Sequence, residues 1–183
     1  MNEQAEATLG RYLRRALGYG AIGGLAAIYL VIVGIVPAFE ARPLITGTLG
    51  LGLTVPLIAI LVIAYLAGVT PKSWRAPSAG VAHRVLPPIV SGTLGGAGLA
   101  LLITVEELLN PTAVLPQLTA QTAQIISLGL AFPLGAAAII VVGFGLGVAA
   151  AALHVLPRPA RWALVVATAT MLSFGLIEPL LRV

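Results

Sequence analysis

Residues 44–68 read LITGTLGLGLTVPLIAILVIAYLAG, a run from Leu44 to Gly68 without one charged side chain. A hydrocarbon core is crossed by about 20 helical residues, so this run is long enough to span a bilayer. It lacks the strict apolar–polar alternation of a barrel strand. Lipid offers no partner to a backbone N–H or C=O, and a helix satisfies its own, which makes a membrane helix the expected state.

The rest of the chain repeats the pattern. Apolar stretches at about 17–36, 85–105, 128–156 and 162–181 join the one at 44–68, so the expected fold is all-α, a polytopic bundle of five transmembrane helices. Composition agrees: 59% of the 183 residues are apolar and 9% charged, against roughly 45–50% and 25% in soluble domains. There is no cysteine, which excludes disulfides, thiolate metal sites and cysteine nucleophiles. Aspartate is absent too, which removes any Ser/His/Asp triad, so a non-enzymatic role is expected. The net charge of +4 is dispersed between apolar runs in ones, twos and threes, and so reads as a topology signal and not as a nucleic-acid surface.

The positive charges set an expected orientation. Arg11, Arg14 and Arg15 precede the first span. Lys72, Arg75 and Arg84 lie between spans two and three, and Arg158 and Arg161 between four and five. Only Arg42 and Arg182 fall on the other side. The bias places the N-terminus in the cytoplasm and the C-terminus outside. Glu40, Glu106, Glu107 and Glu178 then lie on the outer side, and Glu3 and Glu6 on the inner side. Trp74 and Trp162 sit at the inner boundary, where indole rings anchor helices at headgroup depth.

The first span is longer than the roughly 7–15 residues of a signal-peptide apolar region, and no small-x-small site follows it in IVPAFEARP, so it reads as retained. Before it, residues 1–16 form an expected amphipathic surface segment, with Leu9, Tyr12, Leu13 and Ala16 on one face. After span three, EELLNPTAVLPQLTAQTAQIISLGLAFPLG predicts an outer interfacial helix or an outward projection of span four, with a bend near Pro133.

The two histidines fall in similar phrases, HRVLPP at 83–88 and HVLPRP at 154–159. Both lie at the expected cytoplasmic boundary, His83 starting one span and His154 ending the next. Pro87 and Pro88 read as first-turn residues, where a missing N–H costs nothing, and Pro157 and Pro159 as helix stops. The phrases are thus boundary punctuation of opposite polarity. The alternative is that antiparallel packing brings His83 and His154 together as a cofactor site for a tetrapyrrole, a metal or a lipid phosphate. A metal would need a third ligand, and no cysteine, aspartate or inner glutamate stands nearby.

Glycines four apart mark expected close helix packing: Gly20 and Gly24 in span one, Gly92 and Gly96 in span three, Gly143 and Gly147 in span four. Span two carries Gly47, Gly50 and Gly52. Such a face serves packing inside the bundle or docking onto a partner subunit. GTLGGAG at 92–98 lacks the GK[ST] ending of a nucleotide loop. The span middles hold only Ser, Thr, Gly and Pro as polar or helix-breaking residues. Pro56 and Pro133 are the candidate points of unwinding, and Glu178 lies about one turn from an outer end.

The succession LVIVGIVPAFEARPLITGTLGLGLTVPLIAILVIAYLAG, GLALLITVEELLNPTAVLPQL and AAALHVLPRPARWALVVATATMLSFGLIEPLL resembles the N-terminal membrane region of bacterial branched-chain amino acid ABC transporter permeases. The likeness lies in the order of helices and loops over nearly the whole chain. It implies membership of an inner-membrane importer and assigns no functional residue. The longest expected cytoplasmic loop, about 69–84, is short and proline-broken, unlike the segment that couples such a permease to its ATPase. The expected function is therefore a non-catalytic integral subunit, in contact with lipid and other membrane subunits and without a cofactor. Two alternatives stand beside it: a subunit of a photosynthetic or other energy-transducing complex with a tetrapyrrole at His83 or His154, and a small oligomeric channel or transporter.

Overall fold

The computed structural model describes residues 3–39, 43–45, 49–69, 82–109, 114–157, 159–167 and 170. Helices α1 (Glu3–Ile32), α2 (Ile35–Ala38), α3 (Leu51–Gly68), α4 (Ala82–Leu109), α5 (Ala120–Ile126) and α6 (Leu134–Val155) follow in chain order. A small antiparallel pair, β1 (Pro43–Ile45) and β2 (Leu49–Gly50), precedes α3. Four segments are long and apolar enough to cross a membrane: Gly10–Ile32, Leu51–Gly68, Arg84–Leu109 and Leu134–Val155. Helix continues over 159–167, and most of the expected fifth span at 162–181 lies outside the described residues.

α4 is the centre of the bundle, packed on α1, α3 and α6, while α3 also packs on α1 and α6. α1 and α6 thus occupy opposite corners of a rhombus whose short diagonal is α3–α4. Backbone contacts give the directions. Gly20 lies against Ser91 and Leu94, and Gly24 against Gly98, so α1 and α4 run parallel. Gly92 meets Gly147 whereas Gly96 meets Ile139, so α6 runs against α4. Gly95 meets Ile60 and Gly68 meets Pro88, so α3 does too. The helix starts of α1 and α4 therefore share an end with the helix ends of α3 and α6. Arg11, Arg14, Arg15, Arg84 and Arg161 lie there, and it is called the basic end below.

Away from their ends the four long helices are largely apolar all round, as expected where lipid covers the outside. On α1, Tyr12, Ala16, Gly20, Gly24, Ala27 and Val31 turn inward, while Leu13, Leu17, Ile22, Leu25 and Tyr29 are exposed. On α6 the inward residues Gly135, Ile139, Gly143, Gly147 and Ala151 recur every four positions. Large aliphatic groups gather in the other half of the bundle, where Val31, Val36, Leu99, Ile103, Leu118 and Ile126 form one cluster.

Several boundaries differ from the sequence reading. α1 is one continuous helix from Glu3 to Ile32, with Gly10–Ile32 long and apolar enough to cross a membrane, so no break in the helix marks the expected boundary between surface segment and span at residue 16. No proline stands between Leu9 and Ala21 to block propagation, and the Arg15 side chain reaches across to α3. The helix of span two starts at Leu51 and not Leu44, because proline and glycine in PLITGTLG disfavour helix and Pro43–Ile45 pairs with Leu49–Gly50 instead. α4 extends past the expected end to Leu109, carrying Glu106 and Glu107 as helical residues. Pro87 and Pro88 stand inside α4, beyond its first turn, so the carbonyls four residues earlier, of His83 and Arg84, lose their helical donors. Pro133 does not bend span four but caps it: a separate short helix, α5, and a turn through Leu128 and Gly129 come first, and the Phe132–Pro133 bond is cis.

Gly34 lets α1 stop and α2 leave at an angle. Its φ of 84° is left-handed, and a Cβ there would lie 3.2 Å from the Gln117 side chain. Leu118 and α5 close this end by packing on the same cluster as Val31 and Val36.

Candidate functional site at the basic end

The α3 helix ends with its last carbonyls free of intrahelical donors, a problem every helix must solve. Here neighbouring helices solve it. His154, in the last turn of α6, places Nε2 2.9 Å from the Tyr65 carbonyl oxygen. A carbonyl only accepts, so Nε2 carries the proton and donates. The Arg15 guanidinium of α1 donates to the Leu66 carbonyl at 3.4 Å. Cationic or N–H-bearing side chains suit this negative end of the helix dipole.

The same imidazole lies flat on the Tyr65 ring, with centroids 4.4 Å apart and planes 1° from parallel. Space for it comes from Gly68: a Cβ there would collide with the Nε2 edge of His154 and stand 2.7 Å from Pro88 Cγ. Arg161 completes the group. One of its terminal nitrogens donates to the Tyr65 hydroxyl at 3.2 Å and the other to the Leu156 carbonyl, past the end of α6, at 3.1 Å. Its Nε–H is buried and meets no acceptor among the described residues.

Of the two histidines named from the sequence, only the His154 side chain is among those described. His83 lies in the first turn of α4, its side chain outside the described residues. The antiparallel register does carry both to one level, because Gly147 sits against Pro88 and Ile89 and one to two turns further reach His154 and the start of α4. Arg84 and Arg161 are both close enough to His154 to act on it electrostatically. Because Nε2 is already donated and one ring face covered, Nδ1 is the nitrogen of His154 left for a ligand. No group of three His, Cys, Asp or Glu that could hold a metal occurs among the described residues.

The named glycines meet one another and other backbone. A Cβ on Gly92 would lie 2.6 Å from the Gly147 nitrogen, and one on Gly143 would lie 2.7 Å from the Gly96 Cα. Gly20 and Gly24 face Leu94 and Gly98. Helix axes approach so closely because neither side presents a side chain, and dispersion between backbones then replaces the hydrophobic drive that lipid abolishes. Gly47 lies outside the described residues, Gly50 caps α3, and Gly52 abuts the Val36 carbonyl.

Sequence reasoning passed over Tyr65, Gly68, Arg15 and Arg161 as a group. A tyrosine near a span end signals a membrane interface, but its partner stands 89 positions away and no local pattern reveals that. Ser91 is also buried, 2% exposed, and its hydroxyl meets no hydrogen-bond partner among the described residues. At the other end Gly50, Leu53, Gln121, Gln124 and Leu128 line an open hollow of about 390 Å³.

Set against protein-family models, curated proteins and solved structures, the chain matches none of them. Function must therefore be argued from its own residues.

Proposed function

We propose that this chain is a non-catalytic integral membrane subunit that packs within a larger assembly. The observation that carries the reading is the tight backbone packing through the middle of the described helices. Gly92 and Gly96 lie directly on Gly143 and Gly147, and Gly24 on Gly98, so backbone fills the space where a conducting path through one copy would run. The outward faces of the corner helices are apolar, with Leu17, Leu25 and Tyr29 on α1 and Val141, Phe144 and Val148 on α6. They offer packing surface to lipid and to other membrane helices.

In this reading the basic end faces the cytoplasm of a bacterial inner membrane, and a fifth span at 162–181 returns the chain to the outside. The resemblance to branched-chain amino acid permeases makes an ABC-type importer the first assembly to test. Purification in mild detergent, with mass spectrometry of the co-purifying chains and an absorbance spectrum on the same peak, tests it. An ATPase and a solute-binding protein in a colourless peak support the importer assignment. A homogeneous single-chain oligomer that passes solute in vesicles would overturn the subunit reading. A haem or chlorophyll spectrum would replace it with the tetrapyrrole alternative at His154 or His83.

A further inference from the structure

Among the described residues, the Arg161 guanidinium is held by neutral partners. Its contacts to the Tyr65 hydroxyl and the Leu156 carbonyl fix its position, yet neither cancels its charge, and among the described residues the buried Nε–H meets no acceptor. A partly buried cation without a counter-charge is costly, and hydrogen bonds to dipoles offset only part of that cost. Of the acids, Glu106 and Glu107 stand near the far end of α4, and Glu3 and Glu6 lie in the opening turns of α1, about two turns or more before Arg15, their side chains outside the described residues. Arg84 is exposed and stands one helical turn before Pro88, which lies against Gly68 beside His154, so a second cation borders the group.

The remaining donors point to the missing partner. The Tyr65 hydroxyl accepts from Arg161, so its own proton is left to donate. Guanidinium, phenol and a neighbouring arginine together suit a multi-oxygen anion, and arginine matches phosphate as a fork. Two helix C-termini at this end would ordinarily repel an anion, but His154, Arg15 and Arg161 cap the carbonyls that would do so. Depth identifies the source of the phosphate. The site lies where α3 and α6 end and α4 begins, beside an exposed Trp162, which is headgroup level for a bundle of this length.

We propose that the basic end binds the phosphate of one anionic phospholipid, with Arg161 and Arg84 as its charged contacts and the Tyr65 hydroxyl as a further donor. The site does not depend on the subunit reading and would exist with or without a protein partner. A single acidic lipid seated between α3 and α6 would fix their ends at the leaflet whose lipids carry negative charge.

The test is native mass spectrometry of the full chain in detergent. It is titrated with phosphatidylglycerol, with phosphatidylcholine of the same acyl chains, and with inorganic phosphate. One phosphatidylglycerol is expected to be retained about tenfold more tightly than phosphatidylcholine, the scale of a charge-assisted hydrogen bond. Arg161→Gln should lose that preference, Arg84→Gln should reduce it, and Arg11→Gln, an exposed arginine outside the group, should keep it. Tyr65→Phe retains the ring stack and removes only the hydroxyl, so it reads the site even where Arg161→Gln fails to fold; a several-fold weakening is expected. Equal retention of the two lipids would overturn the proposal. So would equal losses in the Arg11 and Arg161 variants, which mean diffuse attraction only. Tight binding of inorganic phosphate that competes with lipid would reassign the site to a soluble anion.

Discussion

His154 and Tyr65 lie face to face across the α3–α6 contact, and the ring that stacks on Tyr65 also donates to its backbone carbonyl at 2.9 Å. One side chain thus holds both the side chain and the main chain of a residue at the end of another helix. Replacing it tests how much the pairing contributes. His154→Ala removes the cap and the stack but gains a few tenths of a kcal/mol in helix propensity. A net loss of about 1–3 kcal/mol is expected, seen as a lower midpoint in thermal unfolding in detergent. Val155→Ala, at an exposed neighbour, should change little. An unchanged midpoint for His154→Ala would mean that the pairing makes no net contribution.

Gly68→Ala should reproduce the His154 phenotype by a different route. The new Cβ would meet the imidazole edge and force the ring off the Tyr65 carbonyl. Because both changes break one arrangement, the double variant should lose less than the sum of the two single losses. Strict additivity in the same unfolding assay would show that glycine and histidine act independently.

The glycine contacts give a contrast within a single helix. Gly143→Ala would bring a Cβ 2.7 Å from the Gly96 Cα, whereas nothing lies within 4 Å of a Cβ at Gly145. Backbone cannot swing aside as a side chain can, so Gly143→Ala should destabilise by about 1–3 kcal/mol. Gly145→Ala should be neutral or stabilising by up to about 1 kcal/mol. Midpoints that move together would show that α4 and α6 are not in backbone contact.

Much of this was legible in the sequence, and the reasons differ by element. The spans at Leu51–Gly68 and Leu134–Val155 announce themselves because lipid-crossing helices cannot hide their length. Boundaries were less legible. Glu106 and Glu107 look like a loop by charge, yet glutamate and leucine are good helix formers, and α4 runs on through them. Pro87 and Pro88 look like an opening turn, but α4 starts before them. Pairing was least legible. Glycines four apart announce a close approach without saying to which helix, so only the fold joins Gly92 to Gly147 and Gly24 to Gly98. The Tyr65–His154–Arg161 group needs three segments in register, and no local spacing encodes that.

The orientation is open to a direct test because the chain has no native cysteine to remove. Gly10→Cys places a thiol at an exposed position near the basic end, where a Cβ would meet nothing within 4 Å. Leu109→Cys places one at the other end of the bundle, on a side chain 71% exposed. With the basic end in the cytoplasm, a membrane-impermeant maleimide added to spheroplasts should label the Leu109 variant at once and the Gly10 variant only after permeabilisation. Five of the chain's ten lysines and arginines, Arg11, Arg14, Arg15, Arg84 and Arg161, lie at the basic end, and moving them outward would oppose the bias that sets topology. The reverse labelling would show that this bias is overridden here. It would also move the Arg161 site to the outer leaflet, where fewer anionic lipids could reach it.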